Sequence, residues 1–473
     1  MHRFPFGTFA LNPTGHKSLK PLRIAVLFPE FLGDYMMLVP FLYALKSCSD
    51  GGWVDLYTTP TVSKIASFHP SLREVVSLSD WNDSSSQSVL AAQLKGRYDA
   101  VYFTNDHLFW LAVKAKIPLK IKARYSPLFK LFCKGSSASD LHCSMMHTCE
   151  RHIHNLRHAF GRVFDPEQFV LNPGIPDNLL DEASKKFGIK GVYGVVAVDN
   201  HSCKRFDRSF FVKSIQLLVD TLGQVVLVGL KDPHQSGDAF IQDSRVINWV
   251  GKTGITDLFC LIQRAALLIG TDSGPSHIAA AMGTKSVVMF PPKGASPQLS
   301  GGFHPDSYSY KLSPFESVCS LRCSHYPSCP QLLCETDYRW PEIETLVRNA
   351  LASPPRTWAQ KNQETYRVSM PVWIIGNSDV AKQDALHFKK QGFFVSYWNL
   401  LQVDQTSFKA LKDFFYLRHI KVVYSLGCKL PFRLKLISLF FRITGRWSMG
   451  TLVGSKVETD FLASVAKAYR RHP

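Results

Sequence analysis

The chain has 473 residues, too many for one typical domain and enough for two or three. A hydrophobic fraction of 45% with 19% charged residues excludes a disordered or fibrous protein, and no apolar run reaches the roughly 18–20 residues that span a bilayer. Lys and Arg exceed Asp and Glu by 18, which favours an anionic partner, and the excess is uneven: residues 356–473 hold 19 basic against 7 acidic side chains.

Residues 1–20 are polar and punctuated by Pro and Gly, and they read as a flexible leader without the apolar core of a signal peptide. A cytoplasmic location is expected, with peripheral contact at the inner face of the cytoplasmic membrane left open. Eleven cysteines is an odd count, and the seven scattered ones read as reduced, buried thiols.

Arg23–Phe28 (RIAVLF) predicts a buried strand. It runs through Pro29-Glu30-Phe31-Leu32-Gly33-Asp34 into an apolar helix over Tyr35–Lys46. Asp34 in that turn has the chemistry of a helix N-cap as well as that of a catalytic carboxylate. Val54–Tyr57, Glu74–Leu78 and Tyr98–Thr104 are further strands, separated by a helix at Thr61–Phe68, a soluble loop at Ser84–Ser88 and a helix from Leu90. Asn105-Asp106-His107 closes the fourth strand, the apolar helix Leu108–Ala115 follows, and Ile121–Tyr125 is a short strand. His147, His152, His154 and His158 share one helical segment with Arg151 and Arg157. His154 and His158 have the i,i+4 spacing of a metal pair but no third ligand of a known zinc pattern beside them.

A Pro-containing connection leads to a second α/β pattern that begins at Tyr193–Val198. Its first turn, Asp199–Arg208, is basic and includes Lys204, Arg205 and Phe206. Helix Phe210–Leu222, strand Gln224–Gly229, the turn around Asp232, strand Val246–Trp249 and helix Ile255–Ala265 follow. Gly251-Lys252-Thr253 is not a P-loop, because the upstream Gly of that motif is missing. Beyond the second pattern, Cys319, Cys323, Cys329 and Cys334 place four thiols within sixteen residues. They could close a zinc site or remain inert or redox-labile thiols. After the helix Pro341–Ala352 and a polar linker, a third pattern carries strands at Val372–Gly376, Phe393–Tyr397 and Ile420–Ser425. Within it, residues 429–446 mix a strongly apolar run with Lys429, Arg433, Lys435, Arg442 and Arg446. That stretch is a candidate contact with an anionic membrane surface, or else a core helix with basic rims.

The most informative stretch is Leu267–Pro292, LLIGTDSGPSHIAAAMGTKSVVMFPP. It predicts a strand, a small polar turn, a helix over Ser276–Met282 and a second strand at Ser286–Phe290, which is a unit of a parallel sheet. Gly274 permits close approach of a ligand to the backbone, and the first N–H groups of the helix are expected to form an anion site. Asp272, Ser273 and His277 surround it. The run Thr271-Asp272-Ser273-Gly274-x-x-His277-x-Ala279-Ala280-Ala281-x-Gly283 resembles the nucleotide-sugar signature of the family 9 glycosyltransferases, the ADP-heptose lipopolysaccharide heptosyltransferase type.

That resemblance, which spans about Arg23–Ala352, implies a GT-B fold: two Rossmann-like parallel-sheet domains facing a cleft. The expected organisation is a leader at 1–20, an acceptor-side domain at 21–175 and a nucleotide-sugar domain at 190–352. A linker at 353–370 and a small basic α/β domain at 371–473 complete it. The resemblance implies that Asp34 is the general base and that Gly33, Asp106 and His107 lie on the acceptor side. Lys204, Asp232, Asp272, Ser273, Gly274, Ser276 and His277 would then hold the donor, with Phe206 standing where the family usually has Trp.

The implied activity is inverting, metal-independent transfer of a heptose or similar sugar. The donor would be a nucleotide sugar such as ADP-heptose, and the acceptor a lipid-linked or core oligosaccharide of lipopolysaccharide type. No cofactor and no nucleic acid are required, and the chain has no Asp-x-Asp metal motif. Two other readings are a sugar-nucleotide epimerase on the same scaffold and a non-catalytic glycan- or lipid-binding relative.

Overall fold

A computed structural model describes residues 21–125, 132–137, 147–162, 164, 169–187, 189, 191–198, 206–232, 235–240, 242–290, 300–311, 338–358 and 360. It also describes the strand segments 371–376, 394–399, 422–425 and 448–450. Lys204, Arg205, the four-cysteine cluster and residues 429–446 lie outside the described residues.

The first sheet has six parallel strands in the order β3-β2-β1-β4-β5-β6. These are β1 (Arg23–Phe28), β2 (Trp53–Thr58), β3 (Glu74–Ser77), β4 (Ala100–Phe103), β5 (Leu119–Tyr125) and β6 (Lys134–Ser137). β1 is buried from Ile24 to Phe28, as its unbroken apolar run requires of a strand covered on both faces. The crossovers are made by α1 (Leu32–Ser47), α2 (Pro60–Ala66), α3 (Ser84–Leu94) and α4 (His107–Lys114).

Two of these helices begin earlier than periodicity predicts. The serines at 84–88 are the first turns of α3 rather than a loop, because the Asp83 carboxylate accepts from the Ser86 amide and anchors the helix end. α1 starts at Leu32, so Asp34 lies inside its first turn. The N-cap position belongs to Phe31, and the capping reading of Asp34 fails.

α5 (Thr148–Phe160) carries the histidines, and α6 (Asp177–Phe187) precedes the second sheet. That sheet is also six-stranded and parallel, in the order β12-β11-β10-β7-β8-β9. Its strands are β7 (Gly194–Ala197), β8 (Val225–Val228), β9 (Val246–Asn248), β10 (Leu267–Thr271), β11 (Ser286–Phe290) and β12 (Ser307–Lys311). Its helices are α7 (Arg208–Leu222), α8 (Ile255–Gln263), α9 (Gly274–Met282) and α10 (Trp340–Ala352).

The two sheets repeat one topology. In each, the strand order reverses between the first and fourth strand of the unit, and the crevice outside the carboxyl ends of those strands is where such sheets bind ligands. One hydrophobic cluster runs through both units: Leu38, Phe41 and Leu42 of α1 join Phe259 and Ile262 of α8 and Ile278 and Ala279 of α9. The small side chains of α9 permit that approach. A third parallel sheet, β14-β13-β15-β16, holds β13 (Pro371–Gly376), β14 (Phe394–Asn399), β15 (Val422–Ser425) and β16 (Ser448–Gly450).

Among the described residues no helix is long and apolar enough to cross a membrane. Four described cysteines, Cys48, Cys133, Cys149 and Cys260, are free and buried.

Candidate active site

The turns that follow β1 and β10 meet. A Cβ built on Gly33 would lie 2.9 Å from His277 Cδ2 and 3.8 Å from Gly274 Cα, so the first turns of α1 and α9 touch through the glycine. The positive ends of both helix dipoles therefore point toward the same part of the cleft. Asp34, next to Gly33 and half-buried, stands at that junction.

On the α9 side, Asp272 and His277 are buried against one another, with His277 Nε2 3.2 Å from Asp272 Oδ1. Helix α9 begins two residues before the predicted start, at Gly274, with Ser273 as its N-cap. The earlier start changes which amides are available. Those of Ser276 and His277 donate to the Ser273 carbonyl at 3.1 and 3.3 Å, that of Asp272 donates to Met289 O, and Pro275 has none.

The amides of Ser273 and Gly274 are left without a carbonyl partner among the described residues, so the open N–H groups at this helix start lie two to three residues earlier than the sequence implies. The Ser276 hydroxyl is turned inward and donates to the Thr271 carbonyl at 2.6 Å. It braces the loop rather than facing the cleft. Above Gly274 the space is open, since a Cβ there would meet nothing within 4 Å.

The acceptor-side candidates are less uniform. Asp106 pairs with the buried Lys122 at 2.9 Å, while His107 is exposed at the start of α4. A residue that periodicity did not single out joins them. Glu30, at the carboxyl end of β1, accepts from Thr104 Oγ1 at 3.0 Å and from Asn105 Nδ2 at 2.7 Å. These bonds tie together the two loops that flank the crevice of the first sheet. The only signal in the sequence was its place in the turn after β1, where topology puts ligands.

Asp232 is more remote from that junction in role: it accepts from the Gly237 amide at 3.0 Å and organises the 3₁₀ turn Ser236–Phe240. Phe206 is buried in the core of the second domain against Phe210.

The histidines of α5 divide by burial. His147 is the N-cap: its Nδ1 accepts from the Cys149 amide, and its Nε2 donates to the Gly301 carbonyl at 2.7 Å, across to the second domain. His152 is buried against Tyr102 and Phe41. His154 and His158 approach at 3.2 Å on the exposed face. Among the described residues no group of three or more His, Cys, Asp or Glu could hold a metal ion.

Residues 89–302 match the family model of glycosyltransferase family 9 (heptosyltransferase). The chain is similar in fold to the ADP-heptose lipopolysaccharide heptosyltransferase II of Escherichia coli, at 17% identity and a TM-score of 0.55. That match covers 70% of this chain and 98% of the other. It is also similar to a family 9 glycosyltransferase of Veillonella parvula, at 19% identity and a TM-score of 0.56, over 71% of this chain and 99% of the other. No curated protein sequence matches.

Proposed function

We propose that this chain is a family 9 glycosyltransferase, in keeping with the match of residues 89–302 to that family's model, and that it moves a heptose or similar sugar from an ADP-type nucleotide-sugar donor to a lipopolysaccharide-type saccharide, with inversion. The observation that supports this reading is the contact of Gly33 with His277 and Gly274, which brings the turn carrying Asp34 against the loop carrying Ser273 and Gly274. The E. coli protein of similar fold is an ADP-heptose lipopolysaccharide heptosyltransferase, which supports the choice of donor and acceptor.

In this mechanism an acceptor hydroxyl attacks the anomeric carbon as the bond to the diphosphate oxygen breaks. Asp34 takes the hydroxyl proton. The Ser273 and Gly274 amides, the α9 dipole and Lys204 stabilise the departing diphosphate, and Asp272 holds sugar hydroxyls while fixing His277. The domain boundaries follow the two sheets: an acceptor-side unit at 21–175 and a donor unit at 190–352.

Thermal unfolding with ADP, ADP-heptose and UDP-sugars tests donor binding, and release of ADP from ADP-heptose in the presence of a lipooligosaccharide tests turnover. Asp272→Ala is expected to abolish stabilisation by ADP species. Asp34→Asn is expected to retain it while turnover falls by about 10²–10⁴. Stabilisation by UDP species alone would overturn the donor assignment, and full turnover in Asp34→Asn would overturn the base.

A further inference from the structure

Exposed apolar side chains scattered along the chain, such as Val170 and Val192, call for no explanation. One group is contiguous. Trp110 of α4 and Phe132, just before β6, are each 62% exposed. Both lean on the same buried ring, Phe109, at centroid distances of 5.2 and 6.1 Å. Val113, one turn beyond Trp110, is 38% exposed. The three side chains form a ridge on the outside of the first domain.

Among the described residues that flank the ridge in sequence, the charge is mostly basic. Lys114, Lys116 and Lys134 are exposed and Lys120 is half-exposed. The nearby acid, Asp106, is already paired with the buried Lys122. His107, Trp110 and Lys114 are three and seven residues apart, so they share one face of α4.

That face starts at the cleft. Asn105, two residues before α4, bonds Glu30 in the crevice of the first sheet, and Glu30 is followed by Phe31, 81% exposed at the head of α1. The aromatic and basic residues thus extend outward from the end of the sheet where the reactive turn lies.

We propose that Trp110 and Phe132, ringed by Lys114, Lys116 and Lys134, dock the first domain onto an anionic lipid bilayer. Amphipathic rings settle at the headgroup level, where the apolar body leaves water and the polar edge keeps it. Each lysine near the surface gains from the negative potential of an anionic leaflet, within a Debye length. Neither contribution alone suffices for stable attachment, but an apolar anchor and a basic patch together do. Docking in this orientation turns the mouth of the cleft toward the membrane, from which a lipid-linked saccharide presents its head. The surface is distinct from residues 429–446, and its test does not depend on the identity of the donor.

The test is co-sedimentation of the full chain with vesicles of phosphatidylcholine containing about one-third phosphatidylglycerol, against vesicles of phosphatidylcholine alone. The wild type is expected to bind the anionic vesicles and to be released by salt. Trp110→Ser with Phe132→Ser is expected to cut the partition coefficient by about tenfold or more. Lys114→Glu with Lys116→Glu is expected to cut it by about fivefold per lysine and to flatten its salt dependence. All four positions are exposed, so the thermal midpoint stays near that of the wild type and separates lost docking from lost folding. Vesicle binding unchanged in the aromatic variant would place the anchor elsewhere, residues 429–446 included, and overturn the proposal. Absence of binding by the wild type would overturn it as well.

Discussion

Gly33 on α1 and His277 on α9 face each other so closely that a methyl group on Gly33 would stand 2.9 Å from the imidazole Cδ2. The imidazole is not free to turn away, because its Nε2 is engaged by the buried Asp272. Gly33 is therefore required by a neighbour 244 positions along the chain and not by its own backbone angles.

Replacing Gly33 by Ala sets two effects against each other. Ala favours helix over Gly by up to about 1 kcal/mol, whereas overpacking costs about 1–3 kcal/mol. The thermal midpoint is expected to fall by only a few degrees, but the stabilisation gained on adding ADP should drop sharply because the α9 loop is displaced. Gly274→Ala supplies the contrast. Its Cβ enters open space, so stability should be unchanged while nucleotide binding weakens. An unchanged ADP-induced shift in both variants would show that the nucleotide binds away from this junction.

Asp55, on β2, is fully buried beneath Arg73 and Tyr98. Arg73 Nε donates to Oδ1 at 2.9 Å, Arg73 Nη2 pairs with Oδ2, and the Tyr98 hydroxyl donates to Oδ2 at 2.7 Å. Asp55→Ala removes the acceptor of a buried hydroxyl and of a guanidinium and is expected to destabilise the fold by about 3 kcal/mol. Asp55→Asn, which keeps one acceptor oxygen, should cost less. Urea unfolding measures both, and equal stability of Asp55→Ala and wild type would contradict the assignment.

Acid sensitivity is expected from two buried histidines. Burial lowers His69 from 6.5 to about 4 and His152 from 6.5 to about 3. His69 Nδ1 already accepts from the Ser71 amide, and protonating that nitrogen would break the bond. The folded state thus binds fewer protons than the unfolded state below pH 6.5. Their contribution is complete above pH 6.5 and is lost as pH falls toward 4, at a slope of up to about 1.4 kcal/mol per pH unit for each histidine. His152→Gln should flatten the fall in stability between pH 6.5 and 4 by the share of one histidine. A slope identical to that of the wild type would show that His152 does not titrate on unfolding.

The architecture was largely legible in the sequence. β1 and β10 are unbroken apolar runs ended by Pro29 and by the Asp272–Gly274 turn, which is how a strand buried on both faces is written. β6 (KGSS) and β12 (SYSYK) escaped, because edge strands lack that run and borrow their conformation from the neighbouring strand. The serines of α3 misled for a related reason: Ser disfavours helix interiors until a cap such as Asp83 anchors the first turn.

Taken by itself, the sequence determined what depends on near neighbours: the succession of strands and helices, the glycine turn at 270–274, and the Thr271–Gly283 signature. The tertiary structure decided what depends on residues far apart. It set Gly33 against His277 and Glu30 beneath Thr104 and Asn105. It also carried the His147 bond across to Gly301 and brought Trp110 and Phe132 together over Phe109. The reason is physical. Periodicity records how one segment divides its side chains between core and water, whereas these contacts are fixed by strand order and by the docking of two sheets, to which no local pattern is tied.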